Sequence, residues 1–257
     1  MHTVMLRNLT IGTGCPKVII PIVAKTAEDI LEKAKELAAS TLNMVEWRAD
    51  FYDAVSDIRQ VVSTAKALRA IMGETPVLFT FRTKKEGGEK EIAPEDYIAL
   101  NKAVAECGYI DAVDAEIFTG DDIVAQIISD AHAAGKIVIG SNHDFFKTPD
   151  KADLLYRLRK MQDLNADILK IAVMPQSNAD VITLLDATRT MASQYADRPI
   201  ITMSMGPLGV ITRMSGELFG SSMTFGAIGQ TSAPGQIPID QLQTAIRILH
   251  RTLGAGV

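Results

Sequence analysis

The sequence predicts an α/β fold, a (β/α)8 TIM barrel with a short N-terminal β-hairpin closing the barrel bottom. Three observations point there. Short β-rich runs alternate with amphipathic helical segments eight times in about 240 residues, which matches a parallel barrel better than an open doubly wound sheet. The length of 257 residues suits one barrel with an ample core. No Gly-x-Gly-x-x-Gly follows the first strand, which disfavours a dinucleotide-binding sheet. A single domain over 1–257 is therefore expected, with the hairpin in 3–16 and the barrel in 17–253.

The elements follow in order. Segments 3–6 and 9–12 read as two short strands around Arg7-Asn8, a hairpin that would cover apolar side chains exposed at a barrel bottom. The run 18–23, Val-Ile-Ile-Pro-Ile-Val, is the first barrel strand, and Ile30, Leu31, Ala34, Leu37 and Ala38 recur behind it at helical spacing. The second unit joins a strand at 44–49 to a helix carried by Ile58, Val61, Val62, Ala65 and Leu68. The third strand is 76–82, and Pro94 opens its helix, where a missing N–H is tolerated in the first turn. Strands four and five are 109–117 and 136–142, with helices starting at Asp121 and near Pro149. Strand six lies within 167–175 and leads to a helix over 178–195. Strand seven is 199–205, and strand eight, 222–228, precedes a last helix over 239–253.

Composition narrows the partners. Hydrophobic residues make up 47% and charged residues 22%, as in ordinary folded proteins. A net charge of −5 with scattered basic residues gives no global attraction to phosphate backbones, so no nucleic-acid partner is expected. Cys15 and Cys107 lack CxxC spacing or a nearby histidine cluster; reduced thiols in a cytoplasm fit better than a disulfide or zinc site. Residues 1–8 contain no long apolar run, and no stretch reaches the 18 or so apolar residues that span a bilayer, so no membrane association is expected.

Lys170 sits in the middle of the apolar sixth strand, where an ammonium group has no routine place. Burial disfavours the charged form, so a lysine that titrates near about 10.4 in water can become a neutral amine that attacks carbonyls. A structural lysine paired with a carboxylate fits the same run equally well. Position decides more than the run itself, because a parallel barrel carries its active site at the C-terminal ends of its strands. His143 ends strand five, adjacent to Lys170, whereas His2 is near the N-terminus and His132 and His250 fall in helical segments. A nucleophilic amine beside a proton carrier results, and Glu86, from the loop after strand three, can orient the imidazole.

Other strand ends are polar too. Glu46 and Arg48 share a face, and an ion pair between them inside the barrel is one expectation. Arg48, Arg82 and Arg213 gather around one mouth, which implies an anionic, polyhydroxylated small substrate. The charged residues 84–89 around Gly87-Gly88 read as a mobile, mostly solvated loop. Segment 230–238 is long enough to form a lid with hydroxyl and amide donors. No metal is required, since one strand-end histidine and no strand-end cysteine make a poor zinc site.

The residues Glu46-Trp47-Arg48-Ala49-Asp50, Phe79-Thr80-Phe81-Arg82, Glu86-Gly87-Gly88, Ser141-Asn142-His143-Asp144-Phe145, Lys170-Ile171-Ala172 and Ser232-Ala233-Pro234-Gly235-Gln236 resemble, in order along nearly the whole chain, the type I 3-dehydroquinate dehydratase family. The resemblance implies a lyase of the shikimate pathway that makes a Schiff base between Lys170 and 3-dehydroquinate, with His143 as general acid/base and Glu86 orienting it. It implies Arg213 on the substrate carboxylate, with Glu46, Arg48, Arg82, Ser232 and Gln236 on its hydroxyls and ketone. Met203, Met205 and Phe225 match apolar wall positions and equally suit barrel filling. No cofactor and a homodimer are implied. Pro21 and Thr212 depart from the family pattern, each standing where a serine is usual. A class I aldolase would share the lysine and the barrel, but one acting on phosphates should carry a glycine-rich phosphate nest after strands seven and eight, and 205–213 interposes Pro207-Leu208. A barrel that only binds a metabolite would have no need of Lys170, His143 and Glu86 together.

Overall fold

The apolar runs become strands where the sequence places them. The computed structural model describes residues 3–229 and 232–254. The strands β1 (Val4–Leu6) and β2 (Leu9–Ile11) pair antiparallel around Arg7, whose φ of 50° makes the tight turn. Parallel strands and helices then alternate: β3 (Lys17–Ile22), α1 (Ala27–Ala38), β4 (Met44–Arg48), α2 (Ile58–Met72), β5 (Val77–Thr80), α3 (Pro94–Glu106), β6 (Ala112–Glu116) and α4 (Asp121–Ala133). The second half continues with β7 (Ile137–Asp144), α5 (Lys151–Asp163), β8 (Ile168–Val173), α6 (Asn178–Thr190) and β9 (Ile200–Ser204). Two short helices, α7 (Val210–Met214) and α8 (Gly216–Phe219), precede β10 (Met223–Ala227), and β11 (Ile237–Pro238) leads into α9 (Ile239–Gly254). No helix among the described residues is long and apolar enough to cross a membrane.

Local chemistry sets the boundaries. Thr26 caps α1 by accepting the Asp29 N–H, Ser177 and Asp180 close a reciprocal capping box at α6, and Pro94 occupies the first turn of α3 as expected. The predicted helix over 178–195 stops being α-helical at Thr190 and finishes as a π-helical turn over Met191–Tyr195. β7 runs two residues past its predicted end, which draws His143 into the ladder opposite Ala172 of β8.

The hairpin plugs the barrel as predicted. One residue from each barrel strand, Ile19, Met44, Leu78, Ala112, Ile139, Ile168, Ile201 and Met223, is buried in a single cluster with Leu6 and Ile11 of the hairpin. Arg7 fastens the turn to the base of β6, donating from Nε to Asp111 at 2.7 Å and from Nη1 to Glu74 at 3.0 Å.

The strand order β11-β10-β3-β4-β5-β6-β7-β8-β9 leaves one seam, between β9 and β10. Its backbone contact lies at the bottom, where Ile200 bridges Ser221 and the Ser222 N–H donates to the Ile200 carbonyl at 2.8 Å. Higher up, side chains satisfy the groups a ladder would have paired. Ser221 Oγ accepts the Thr202 N–H at 3.0 Å, Thr212 Oγ1 accepts the Ser204 N–H at 3.0 Å, and Arg213 Nη1 donates to the Phe225 carbonyl at 3.3 Å. A threonine supplies this hydroxyl as well as a serine would, which accounts for the departure at Thr212.

The plug makes Ile11 a test of the bottom layer. Ile11→Ala should lower stability by about 2–5 kcal/mol, the usual range for emptying a fully buried aliphatic site, in urea unfolding.

Candidate active site

Above the apolar bottom layer the barrel interior opens, at the C-terminal ends of the strands, into a cleft of about 440 Å³. Every site residue singled out from the sequence borders it. Lys170, His143 and Glu86 do so together with Glu46, Arg48, Arg82 and Arg213, with Ser232 and Gln236, and with Met203, Met205 and Phe225. The period of two accounts for this gathering. Met44 in the bottom layer leads to Glu46 and Arg48, Ala112 to Asp114 and Glu116, Ile139 to Ser141 and His143, and Ile168 to Lys170 and Ala172. The walls from β4 to β7 are thus ionisable, while Met203, Met205 and Phe225 make the opposite wall apolar.

Lys170 stands between these walls with 3% of its surface exposed. Its Nζ lies 3.3 Å from Asp114 Oδ2, 3.6 Å from Glu46 Oε1 and 4.6 Å from the centroid of the Phe225 ring. The carboxylate partners of the structural alternative are present, and so is the burial on which the nucleophilic one rests. Asp114 is itself fully buried; its Oδ2 also accepts from Arg82 Nη2 at 2.8 Å, and its Oδ1 accepts the Ser141 hydroxyl at 2.6 Å. Burial pushes its carboxyl up, but Arg82 and Lys170 outweigh burial and hold it below the usual range.

The expected Glu46–Arg48 ion pair does not form. A 3-10 turn over Ala49–Phe51 brings Asp50 back under the strand end, and Arg48 forks onto it, Nε to Oδ1 and Nη2 to Oδ2, both at 2.8 Å. Glu46 accepts the Thr80 hydroxyl at 2.9 Å instead.

Arg82 is also already neutralised. Its guanidinium donates to Asp114, to Glu116 Oε1 at 3.0 Å and to Ser141 Oγ at 2.9 Å, and burial notwithstanding, these acids keep it well above the ordinary arginine value. Of the three arginines expected to receive an anion, only Arg213 lacks a carboxylate partner. It is buried; its Nη atoms reach the carbonyls of Phe225 and Pro234, and its Nε has no hydrogen-bond partner. Burial lowers it to about 10.

Glu86 ends a 3-10 turn over Lys84–Glu86 and binds the end of β7 at three points. Its Oε2 lies 3.0 Å from His143 Nδ1 and accepts the His143 backbone N–H at 2.9 Å, while its Oε1 accepts from Asn142 Nδ2 at 2.9 Å. Burial, with Glu116 adding to it, raises the Glu86 carboxyl to about 8 against Arg82 and the Asn142 amide. Burial, then the charges of Arg82, Lys170 and Arg48, pushes His143 well below its ordinary value. A carboxyl raised by burial and an imidazole lowered by it thus face each other, Oε2 against Nδ1, at 3.0 Å. Nε2 remains the ring nitrogen that Glu86 does not engage.

Packing, rather than mobility, accounts for the glycine pair. A Cβ on Gly87, at φ of 83°, would fall 2.3 Å from the Phe145 ring, and one on Gly88 would fall 1.9 Å from the Arg82 carbonyl oxygen. The loop is also tied down by the Lys84 N–H to the Lys90 carbonyl at 2.9 Å and by Lys90 Nζ to the Asp50 and Tyr52 carbonyls at 2.9 and 2.7 Å. Phe145, which sequence reasoning gave no role, lies stacked beside His143.

In the expected lid, Gln230 and Thr231 lie outside the described residues. Ser232 and Gln236 bind each other through two 2.9 Å hydrogen bonds, and the Pro234 carbonyl accepts from Arg213 Nη2 at 3.0 Å. Sequence reasoning missed Asp114 and Glu116, although they share one face of their strand just as Glu46 and Arg48 do. Away from the cleft, Cys15, Glu217 and His250 bring ligand atoms within 4.8 Å of one another. His250 Nδ1 is already paired with Glu217 at 2.7 Å, and burial and Glu217 push the Cys15 thiol up, away from the thiolate a metal needs.

Known proteins match this arrangement along the whole barrel. A 3-dehydroquinate dehydratase of Escherichia coli is 51% identical over 251 residues, 98% of this chain and 100% of that protein. The solved structure of the type I 3-dehydroquinate dehydratase from Clostridium difficile, with covalently modified comenic acid, is 47% identical with a TM-score of 0.95, covering 98% of this chain and 99% of that one. The 3-dehydroquinate dehydratase of Geobacillus kaustophilus is 40% identical with a TM-score of 0.94, covering 97% of each chain. The sequence pattern of type I 3-dehydroquinase matches residues 18–252, and the chain belongs to that family.

Proposed function

We propose that this chain dehydrates 3-dehydroquinate to 3-dehydroshikimate, a step of the shikimate pathway, through an imine on Lys170 with His143 carrying the protons. The observation that carries the proposal is a buried lysine amine flanked by two carboxylates in the same cleft as a Glu86–His143 pair. The Lys170 amine adds to the C3 ketone, and the carbinolamine expels water to give an iminium. Asp114 and Glu46, which lie 3.3 and 3.6 Å from Nζ in the free enzyme, then face the iminium cation. The iminium draws electrons from C2, and His143 Nε2 removes the C2 proton to leave an enamine. The enamine expels the C1 hydroxyl, which takes that proton from His143 and departs as water. Hydrolysis of the imine returns the ketone and the free amine, so the net change is loss of one water.

The remaining side chains hold the substrate. Arg213, a buried cation without a carboxylate partner, is the receptor for the substrate carboxylate. Ser232, Gln236, Glu46 and the unused donors of Arg48 and Arg82 meet the hydroxyls and ketone, and Met203, Met205 and Phe225 shape the apolar side of the ring. An aldolase acting on sugar phosphates would need a cluster of donors for a doubly charged group. The β9–β10 sector offers the single Arg213, already bound to two carbonyls.

Borohydride added with 3-dehydroquinate should leave a reduced adduct on Lys170 by peptide mass mapping; full activity without any adduct would exclude the imine. His143→Ala should still trap the adduct but slow dehydration by about 10² to 10⁴, as for loss of a general acid/base. The base form of the Glu86–His143 pair keeps its hydrogen on Nδ1 and a bare Nε2, one proton fewer than when Glu86 is protonated. With burial holding Glu86 at about 8, kcat/KM should climb from neutral pH toward that value, and a flat profile would contradict the assignment. Arg213→Ala should raise KM by about 10- to 100-fold, the equivalent of one or two charge-assisted hydrogen bonds, with a smaller change in kcat.

A further inference from the structure

The chain of contacts behind Glu86 extends to the outer helices. Arg157 on α5 donates from Nη1 to Asn142 Oδ1 at 2.8 Å, and Asn142 Nδ2 donates to Glu86 Oε1 at 2.9 Å. Arg157 is itself fixed by a fork onto Asp153, Nε to Oδ1 at 3.1 Å and Nη2 to Oδ2 at 2.8 Å, one helical turn earlier. Its guanidinium lies over the Phe118 ring at 5.8 Å, and Asp144 Oδ2 is 3.8 Å away.

Asn142 is a group with two orientations, because its amide oxygen and nitrogen occupy nearly the same space and exchange on a half-turn. One neighbour settles the choice. Arg157 has only donors, so the atom facing it must be the oxygen, and the NH₂ is thereby aimed at the Glu86 carboxylate, which accepts. Without the guanidinium only the Glu86 carboxylate disfavours the other orientation, and a protonated Glu86 would accommodate it by donating to the amide oxygen.

We propose that Arg157 is a positioning residue that, through the amide of Asn142, holds Glu86 as the acceptor for His143 and so sets the proton-carrying state of the imidazole. The inference rests on His143 being the proton carrier, as argued above. When Glu86 is an acceptor, Nδ1 carries hydrogen toward it and Nε2 keeps the lone pair that a base needs. When Glu86 holds a proton, it donates to Nδ1 and the N–H moves to Nε2. The groups facing this pair are Arg82 from the end of β5, Asp114 and Glu116 from β6, Lys170 from β8 and Arg48 from β4. Of the contacts that favour the Glu86 carboxylate, Asn142 is uncharged, and its orientation is what Arg157 controls. Losing that donor moves the pair toward its protonated form, so the pH at which base activity appears rises.

The test measures kcat/KM against pH and borohydride trapping in the full chain. Arg157→Met keeps apolar cover over Phe118, Arg157→Lys retains a donor, and Asn142→Ala removes the relay. Arg157→Met and Asn142→Ala are each expected to cut kcat/KM at pH 7 by about ten-fold, the scale of one hydrogen bond to a charged group. Each should move the rising limb upward by roughly one pH unit on the same scale, about 1.4 kcal/mol per unit, and leave trapping at Lys170 intact. The double variant should be no worse than either single one, since both break one path, and Arg157→Lys should restore most of the rate. Arg157→Met with the wild-type limb and rate, or a double variant whose losses multiply, would overturn the relay. His143→Ala separates the two readings: if it keeps wild-type turnover, the proton carrier itself is misassigned and the relay falls with it. If it abolishes dehydration while Arg157→Met behaves as wild type, the relay alone is wrong.

Discussion

The Asp114–Arg82 pair is the interaction on which the interior of this barrel depends. Two ions at that depth cost several kcal/mol each unless every oxygen and N–H finds a partner. Here Asp114 takes Arg82, Lys170 and Ser141, while Arg82 takes Asp114, Glu116 and Ser141. Each member is therefore confined by at least two others. Lys170 is placed by Asp114, and Asp114 by Arg82. Apolar fillings of equal volume are often as stable as buried ion pairs, so the value of these charges lies in the geometry they specify more than in added strength.

That geometry suits chemistry in which a positive charge comes and goes. In the proposed route the iminium on Lys170 is cationic and the enamine neutral, while the two acids beside it remain. Their fixed orientation spares the protein from reorganising as each cation forms. The division of the cleft into an ionisable wall and an apolar wall follows from the strand pattern, with Met203 and Phe225 where the other strands carry acids and bases. Arg213 is the exception on the apolar side, and its lack of a counter-ion matches one carboxylate on the substrate.

Most of the fold was legible because the barrel strands are short, mostly apolar runs, and because α1, α2, α5 and α6 open with a capping side chain and α3 with a proline. The hairpin was legible because a barrel bottom needs a cover. What escaped was of two kinds. The helices α7 and α8 are too short to show a period, and the seam they prop has no local signature. The partners of the charged residues escaped because pairing is a property of the closed barrel: Arg82 and Asp114 are 32 residues apart, Lys170 and Asp114 are 56 apart. Three arginines at one mouth therefore read as three anion receptors, when two of them were already committed to Asp50, Asp114 and Glu116. The period of two that exposed Glu46 and Arg48 also marked Asp114 and Glu116.

The seam between β9 and β10 gives the barrel the mechanics of a split ring. Around the rest of the circumference a backbone ladder joins strand to strand, whereas here, above one backbone contact at the bottom, the link is made by two hydroxyls and one guanidinium. Compliance is thus concentrated in one sector. Lys170 and His143 lie in the continuous part, on two strands joined by a full ladder. Arg213 is one of the props, so the group proposed to receive the substrate carboxylate is at the same time a fastening of the seam.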